Sequence, residues 1–475
     1  MEVTFVASEC APFAISGGLG DVIGALPKAI KKEDSTINVS VILPYYDTVK
    51  EKYGKALKKI CSVKFSLSWR NTEADVYETE DNGIHYYFIE NKRYFDRGRL
   101  YGEYDDAERF AFFSKATIEF MLAERKIPDI LHANDWQSAM CVIYLKTLYK
   151  DNPFLLKIRT LFTVHNIEYQ GKFDINILSD VFGLESKHLS CVEYRGDINL
   201  MKGALILSDY ISTVSPNYRY ELSYDFFAFG LSEIINSVTH KMCGIINGID
   251  YGYFSPEADK AIYFPYNKDN VAEGKKKNKI AFQKEVGLPV AENTPLIVMI
   301  GRLTPTKGID LLLHILEELL VYNNVQVAVL GTGENEYENE LIKLSYKYDN
   351  LISIIKFDRN MSKKMYAAAD IFLMPSKSEP CGLAQMIACS YGCVPIVRSV
   401  GGLYDTIEHW NGKNGNGFRF DNYNAHEFLY TIKGALELFK SEKWNNIQNN
   451  AISSRFEWSN SAKKYIAVYN NLLNW

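Results

Sequence analysis

Short apolar runs alternate with longer amphipathic stretches along almost the whole chain, and this rhythm constrains the fold more than any single motif. Val3–Ala7, Asn38–Leu43, Tyr86–Glu90, Ile130–Ala133, Arg159–Val164 and Tyr210–Val214 read as buried strands, each followed by turn residues or a helical period. Repeated strand–helix order predicts a parallel sheet covered by helices on both faces. After Asn247-Gly248-Ile249-Asp250 the rhythm restarts with Leu296–Ile300, Val325–Leu330, Leu351–Ile355, Ile371–Met374 and Val394–Val397. At 475 residues the chain is too long for one hydrophobic core. The expectation is an α/β protein of two Rossmann-like doubly wound domains. Their boundary falls between about Lys241 and Tyr266, where Gly, Pro, Asn and Asp cluster.

Composition narrows the function. A net charge of -5 argues against a general nucleic-acid or membrane binder, which needs a basic excess to collect phosphates. The eight cysteines fall at irregular spacings without a C-x-x-C pair, so neither a zinc site nor a disulfide framework is expected, and a reducing cytoplasm fits. The run after Met1-Glu2-Val3 is too short for a signal peptide, and no stretch reaches the roughly 18 apolar residues of a membrane span. Lys275-Lys276-Lys277 with Lys279 reads as the solvated start of a helix.

In doubly wound sheets ligands sit beyond the carboxyl ends of the strands, so the loops there carry the chemistry. Gly17-Gly18-Leu19-Gly20-Asp21 lies between the first strand and an amphipathic helix, where backbone amides and the helix dipole converge on an anion, and this predicts a phosphate cradle. Arg302 and Lys307 flank a Pro-bearing turn between a strand and a helix, a spacing that lets both cations reach a diphosphate. Gly401-Gly402-Leu403 supplies a second glycine loop. Glu379 precedes Pro380-Cys381-Gly382-Leu383 at a helix start and places an acid beside the phosphate pocket. No Asp-x-Asp pair is present, so metal-free neutralisation of the diphosphate by Arg302 and Lys307 is the simpler expectation, with no cofactor. His165 ends an apolar strand. His132 has the weaker claim to a function, and Trp136 and Tyr169 offer rings for a sugar, although an aromatic at a strand end is as often core.

In order, these segments resemble the bacterial glycogen synthases and plant starch synthases. The matching segments are Phe5 to Glu9, Gly17 to Val22, Glu108 to Ser114, Thr163-Val164-His165-Asn166 with Tyr169-Gln170-Gly171, Thr213 to Pro216 and Asn247 to Asp250. Arg302-Leu303-Thr304 with Lys307-Gly308, Glu379 to Leu383, and Gly401-Gly402-Leu403 with Asp405-Thr406 complete the series. The resemblance covers essentially the whole chain. It implies a GT-B type fold, two Rossmann-like domains facing a deep cleft. Residues 1–245 would form an acceptor and catalytic domain and 246–457 a nucleotide-sugar donor domain, with 458–475 returning to the first domain as a helix.

The implied activity is retaining transfer of glucose from ADP-glucose, or in some members UDP-glucose, to the non-reducing end of an α-1,4-glucan. Arg302 and Lys307 would then neutralise the departing diphosphate, with amides at Gly18, Gly401 and Gly402. His165 and Glu379 would hold the donor glucose, assisted by Asn247 and the Cys381-Gly382-Leu383 turn. Asp21, Asp135 and Trp136 would lie on the acceptor side. The implied partners are a nucleotide sugar and a glucan, with no nucleic acid and no membrane.

Three departures from the family pattern stand out. Ile15 occupies the position of a Lys expected to touch the donor phosphates, a contact worth roughly 1.5–3 kcal/mol. Val400 replaces a Thr, and Asn134 replaces a common His. Ile15 and Val400 motivate one alternative, a catalytically weak relative that binds glucan or regulates a true synthase; a transferase using UDP-glucose is the other, because no base-reading residue is identifiable.

Overall fold

The computed structural model describes residues 1–474. The chain forms two compact units, Met1–Ile245 together with the segment from Trp458 onward, and Ile246–Glu457.

The first unit is built on a nine-stranded main sheet and a smaller three-stranded one among the described residues. In chain order its strands are β1 (Glu2–Val6), β2 (Asn38–Pro44), β3 (Lys58–Leu67), β4 (Arg70–Asp81), β5 (Ile84–Glu90), β6 (Ile130–Asn134) and β7 (Arg159–Val164). Three short strands, β8 (Lys172–Asp174), β9 (Glu193–Tyr194) and β10 (Asp197–Asn199), form a separate antiparallel sheet, and β11 (Tyr210–Thr213) and β12 (Met242–Gly244) complete the main one. The main sheet runs β12-β11-β7-β6-β1-β2-β5-β4-β3. Its pairings are parallel except β3 with β4 and β4 with β5. That edge hairpin is absent from the sequence expectation. Its first strand, KKICSVKFSL, is charged and buried mainly at alternate positions near its end, so it lacks the continuous apolar run of a central parallel strand.

The helix Trp458–Leu473 belongs to the first unit. Ala462, Tyr465, Tyr469 and Leu472 are buried at spacings of three and four, one face of a helix. It packs on the helix Gly18–Glu33. The Tyr469 hydroxyl lies 2.9 Å from Nδ1 of the buried His132, whose Nε2 meets the Thr163 hydroxyl at 2.6 Å. His132 is therefore a core residue tying the last helix to β6.

The second unit carries β13 (Leu296–Ile300), β14 (Gln326–Leu330), β15 (Leu351–Ile354), β16 (Ile371–Met374), β17 (Val394–Arg398) and β18 (Phe418–Phe420). They run β15-β14-β13-β16-β17-β18, and every pair is parallel. Leu312, Ile315, Leu316 and Leu319 of the helix Ile309–Tyr322 bury the i, i+3, i+4, i+7 stripe in its core.

The lysine run corrects the sequence reading. Lys275 and Lys279 are buried, one turn apart on the inner face of the helix Val271–Val286. Lys275 Nζ donates to the carbonyls of Tyr366 (2.9 Å), Ala367 (3.2 Å) and Tyr391 (3.0 Å), and Lys279 pairs with Asp370 at 2.6 Å. Burial pushes the Lys275 ammonium down to about 8.

Candidate functional site

Each main sheet has one point where the connections reverse direction: β1 lies between β2 and β6, and β13 between β14 and β16. The loops after those strands hold the chemistry-bearing residues.

In the second unit three loops interlock through backbone contact. A Cβ at Gly308 would lie 2.2 Å from the Pro375 carbonyl oxygen, one at Gly401 1.9 Å from that of Glu379, and one at Gly402 2.1 Å from that of Cys381. Only glycine permits such approach. The Lys377 amide donates to Thr306 O at 2.9 Å and the Gly402 amide to Glu379 O at 3.2 Å, locking the turns after β13, β16 and β17 together. The loops that the sequence reading assigned to diphosphate and sugar are thus one construction.

Within it Lys307 Nζ donates to Glu379 Oε2 at 2.6 Å, and the Ser376 hydroxyl donates to the same oxygen at 3.1 Å. The pair joins two residues expected to serve different parts of the donor. The Arg302 side chain is exposed and takes part in no ion pair among the described residues. Asn247 is buried with its side-chain oxygen unpartnered, and so is the Thr304 hydroxyl. Buried polar atoms left open at a strand-end loop are the kind a ligand satisfies. Asn247 also hydrogen-bonds the buried Cys381, whose thiol is pushed up to about 12 by burial and stays protonated. Gln385 Nε2 fixes that turn by donating to the Cys381 and Gly382 carbonyls at 3.1 and 2.9 Å.

In the first unit Asp135 follows β6 with φ 55° and ψ 178°, a region essentially reserved for glycine and costing on the order of 1–3 kcal/mol. Its Oδ1 accepts the His165 amide at 2.7 Å. Burial raises the Asp135 carboxyl to about 7, against the opposing pull of the His165 and Asn166 amides and with a smaller push from Glu9. His165 Nε2 lies 3.0 Å from Asn134 Oδ1, and the Asn134 amide nitrogen donates to His132 O at 2.9 Å, which fixes the amide orientation. The His165 proton therefore sits on Nε2 and Nδ1 is left as an acceptor. Burial pushes the ring down to about 3, so it is neutral at physiological pH.

Trp136, expected on the acceptor side, is 9% exposed and packs edge-to-face on Phe110 at 5.1 Å. A Cβ at Gly171 would approach its ring to 2.7 Å. Tyr169 is half exposed. Asp21 lies in the first turn of the helix Gly18–Glu33, partly buried, and Ile15 is 37% exposed.

The sequence reading missed Glu9. Its buried carboxylate accepts the amides of Ser16 (2.6 Å) and Gly17 (2.9 Å) through Oε2, and the Tyr101 hydroxyl through Oε1 at 2.7 Å. Two amides of the glycine loop, expected to face a phosphate, are thus held by the protein's own anion. Gly18 has open space around it. Its place three residues past the end of β1 marks it as a strand-end acid, but no local signal pairs it with the amides of Ser16 and Gly17.

The strain and the raised carboxyl at Asp135 give an expected outcome. A carboxyl raised in the folded state gives stability that is full below the unfolded value near 4 and is lost as pH rises through about 7. Asp135→Asn should therefore melt higher than the parent at pH 8, by on the order of 2 kcal/mol, with the difference vanishing near pH 4. Equal melting curves at pH 8 would contradict a buried, raised carboxyl.

Comparison with known proteins gives the wider frame. A family model described as starch synthase catalytic domain matches residues 2–237, and one described as glycosyl transferases group 1 matches 282–454. A glycogen synthase of Bacillus cytotoxicus is 41% identical over 100% of this chain and 99% of its own length. One of Clostridium botulinum is 43% identical over 99% of each. The solved catalytic domain of starch synthase IV from Arabidopsis thaliana, bound to ADP and acarbose, superposes with a TM-score of 0.89 at 32% identity, covering 100% of this chain and 99% of that one. Sucrose-phosphate synthase from Thermosynechococcus elongatus shares the fold, with a TM-score of 0.62 at 16% identity over 100% and 99% of the two chains. Two doubly wound units with these strand-end loops define the GT-B class of glycosyltransferases. Within that class the chain belongs to the glycogen synthase family.

Proposed function

We propose that this chain transfers glucose from ADP-glucose to the non-reducing end of an α-1,4-glucan. It is a retaining glucosyltransferase of glycogen synthesis. The observation carrying the residue-level reading is the Lys307–Glu379 pair beside the β13/β16 reversal, with Arg302 exposed on the same loop as Lys307. The ADP held by the related starch synthase IV supports the adenine nucleotide over UDP-glucose, and its acarbose, a glucan-like oligosaccharide, supports the acceptor class.

In this reading Arg302 and the Lys307 ammonium take the charge that develops on the diphosphate oxygen as its bond to the anomeric carbon breaks. The bond to the glucan 4-hydroxyl forms on the same face, and the hydroxyl proton passes to the departing phosphate oxygen. Glu379 and neutral His165 hold donor-glucose hydroxyls, while Asn247, Cys381, Gly382 and Leu383 line the donor side with the Gly18 and Gly401 amides; Gly402, expected to offer a third, instead gives its amide to the Glu379 carbonyl and serves the close packing of the loops. Asp21, Asp135 and Trp136 serve the acceptor side, with the buried Trp136 as its apolar backing. The cations do this work without a metal. A cytoplasmic location agrees with eight unpaired cysteines, five of them buried, and no described helix is long and apolar enough to cross a membrane.

Incorporation of labelled glucose from ADP-glucose and UDP-glucose, each with glycogen and with a maltooligosaccharide, tests the reading. Transfer from ADP-glucose at a rate at least tenfold above UDP-glucose is expected, and no transfer from either donor would refute it.

Ile15 favours a second reading, a slow relative of the active synthases. If the missing ammonium limits turnover, Ile15→Lys should raise kcat by roughly tenfold, with donor binding improving less. Unchanged steady-state kinetics in a folded variant would remove the case for a handicap.

A further inference from the structure

We infer that Glu9 is a positioning residue for the donor side of the first unit, its carboxylate clasping the glycine loop so that Gly18, and not Ser16 or Gly17, presents an amide to the nucleotide sugar. The inference rests on the proposed glucosyl transfer.

The clasp is closed on all sides. The chain turns back after β1 through a Cys10–Ala14 bridge, in which the Cys10 amide donates to Ala14 O at 2.8 Å and the Ala14 amide to Cys10 O at 3.0 Å. The Ala11 amide donates to Gly20 O at 2.9 Å, so both ends of the loop are tied before any side chain is counted. Glu9 Oε2 fills the ring that remains, and a Cβ at Gly20 would stand 3.2 Å from it. The other oxygen is held by Tyr101, whose hydroxyl also meets Ser8 Oγ at 2.7 Å.

Tyr101 is in turn placed from behind. The buried Arg109 of the helix Asp106–Ala123 donates through Nε to Tyr94 O at 2.7 Å and through Nη1 to Leu100 O at 3.3 Å, and pairs with Asp106. One connected path runs from that helix through Tyr101 to the amides of Ser16 and Gly17.

All three groups that donate to Glu9 are neutral, two amides and a phenol. A buried carboxylate without a cation is costly, and a glutamine could accept the same two amides at lower cost. What a glutamine cannot do is make the charge-assisted bonds that pull both amides to one oxygen, or accept from Tyr101 with its second group. The charge therefore serves the exact placement of the loop rather than the stability of the fold. It also means that the amides of Ser16 and Gly17 are spent inside the protein.

The test compares Glu9→Gln with the parent enzyme in steady-state transfer from ADP-glucose to glycogen, with melting curves as the folding control. The expected result is a folded variant whose kcat/KM for the donor falls by roughly ten- to a hundredfold while KM for glycogen stays within twofold. A folded variant with parental kinetics would overturn the inference, and so would an equal loss on donor and glycogen. Should Glu9→Gln not fold, hydrogen exchange on the parent protein decides. The peptide containing Ser16 and Gly17 should be protected without nucleotide and unchanged by saturating ADP, whereas fast exchange that ADP suppresses would show those amides turned to the ligand. A parent enzyme that transfers from neither donor fails the proposed function itself, a result distinct from every outcome for Glu9.

Discussion

Replacing Lys307 by alanine should lower glucosyl transfer by about three orders of magnitude or more, leaving it near the detection limit. The leaving group is a diphosphate whose charge grows as the glycosidic bond breaks, and a cation aimed at that charge contributes more to the transition state than to the bound donor. The first glycine loop carries Ile15 and no cation, so in the proposed reading Arg302 and Lys307 share this task between them. Arg302, exposed and in no ion pair among the described residues, is not expected to stand in for an ammonium held 2.6 Å from Glu379. The variant also leaves the buried Glu379 with only the Ser376 hydroxyl as a donor, so melting should drop by a few degrees. A folded Lys307→Ala enzyme retaining a tenth of parental kcat would refute the assignment.

The second large effect concerns the other half of the pair. Glu379→Gln should reduce kcat by roughly 10²–10³-fold, because a sugar hydroxyl loses a charged acceptor at the moment the ring gains positive character. ADP binding should move the opposite way. With the carboxylate gone, Lys307 no longer has to leave an ion pair to reach a phosphate, so ADP is expected to bind as tightly as to the parent or more so. Calorimetry of ADP binding beside steady-state kinetics reads both numbers. Weaker ADP binding together with lower kcat would mean that Glu379 shapes the pocket as a whole and does not compete for Lys307.

How far the sequence alone reached follows from the range of the interactions. Parallel strands buried on both faces leave continuous apolar runs, so β1, β2, β5, β6, β7, β11 and β13 to β17 were readable within a residue or two, while the half-exposed hairpin of β3 and β4 and the three-residue edge strands β12 and β18 were not. Glycines at strand ends were readable as markers. Their stated purpose was incomplete, because Gly401 and Gly402 also let the backbone pass against Glu379 and Cys381. Glu9 was invisible as a partner of Ser16 and Gly17 because a local string shows no sign of which acid folds back on which amide. Lys275 and Lys279 were misread for the opposite reason. Consecutive lysines look solvated, yet positions four apart share a helix face, and the groups that receive them, Asp370 and the carbonyls of Tyr366 and Tyr391, lie some 90 residues or more away. Separation in sequence, not weakness of the interaction, set the limit.

The helix Trp458–Leu473 has a consequence for the order in which the molecule comes into being. During synthesis β6 and the helix Gly18–Glu33 emerge early, but the surface that receives Tyr465 and Tyr469 stays uncovered until the ribosome has finished Ile246–Glu457. The second unit is contiguous and can close as soon as it is made, whereas the first waits with an apolar stripe and a buried histidine still open to water. The half that begins first is thus the half that finishes last, and the nascent chain is most exposed to misassociation during that wait.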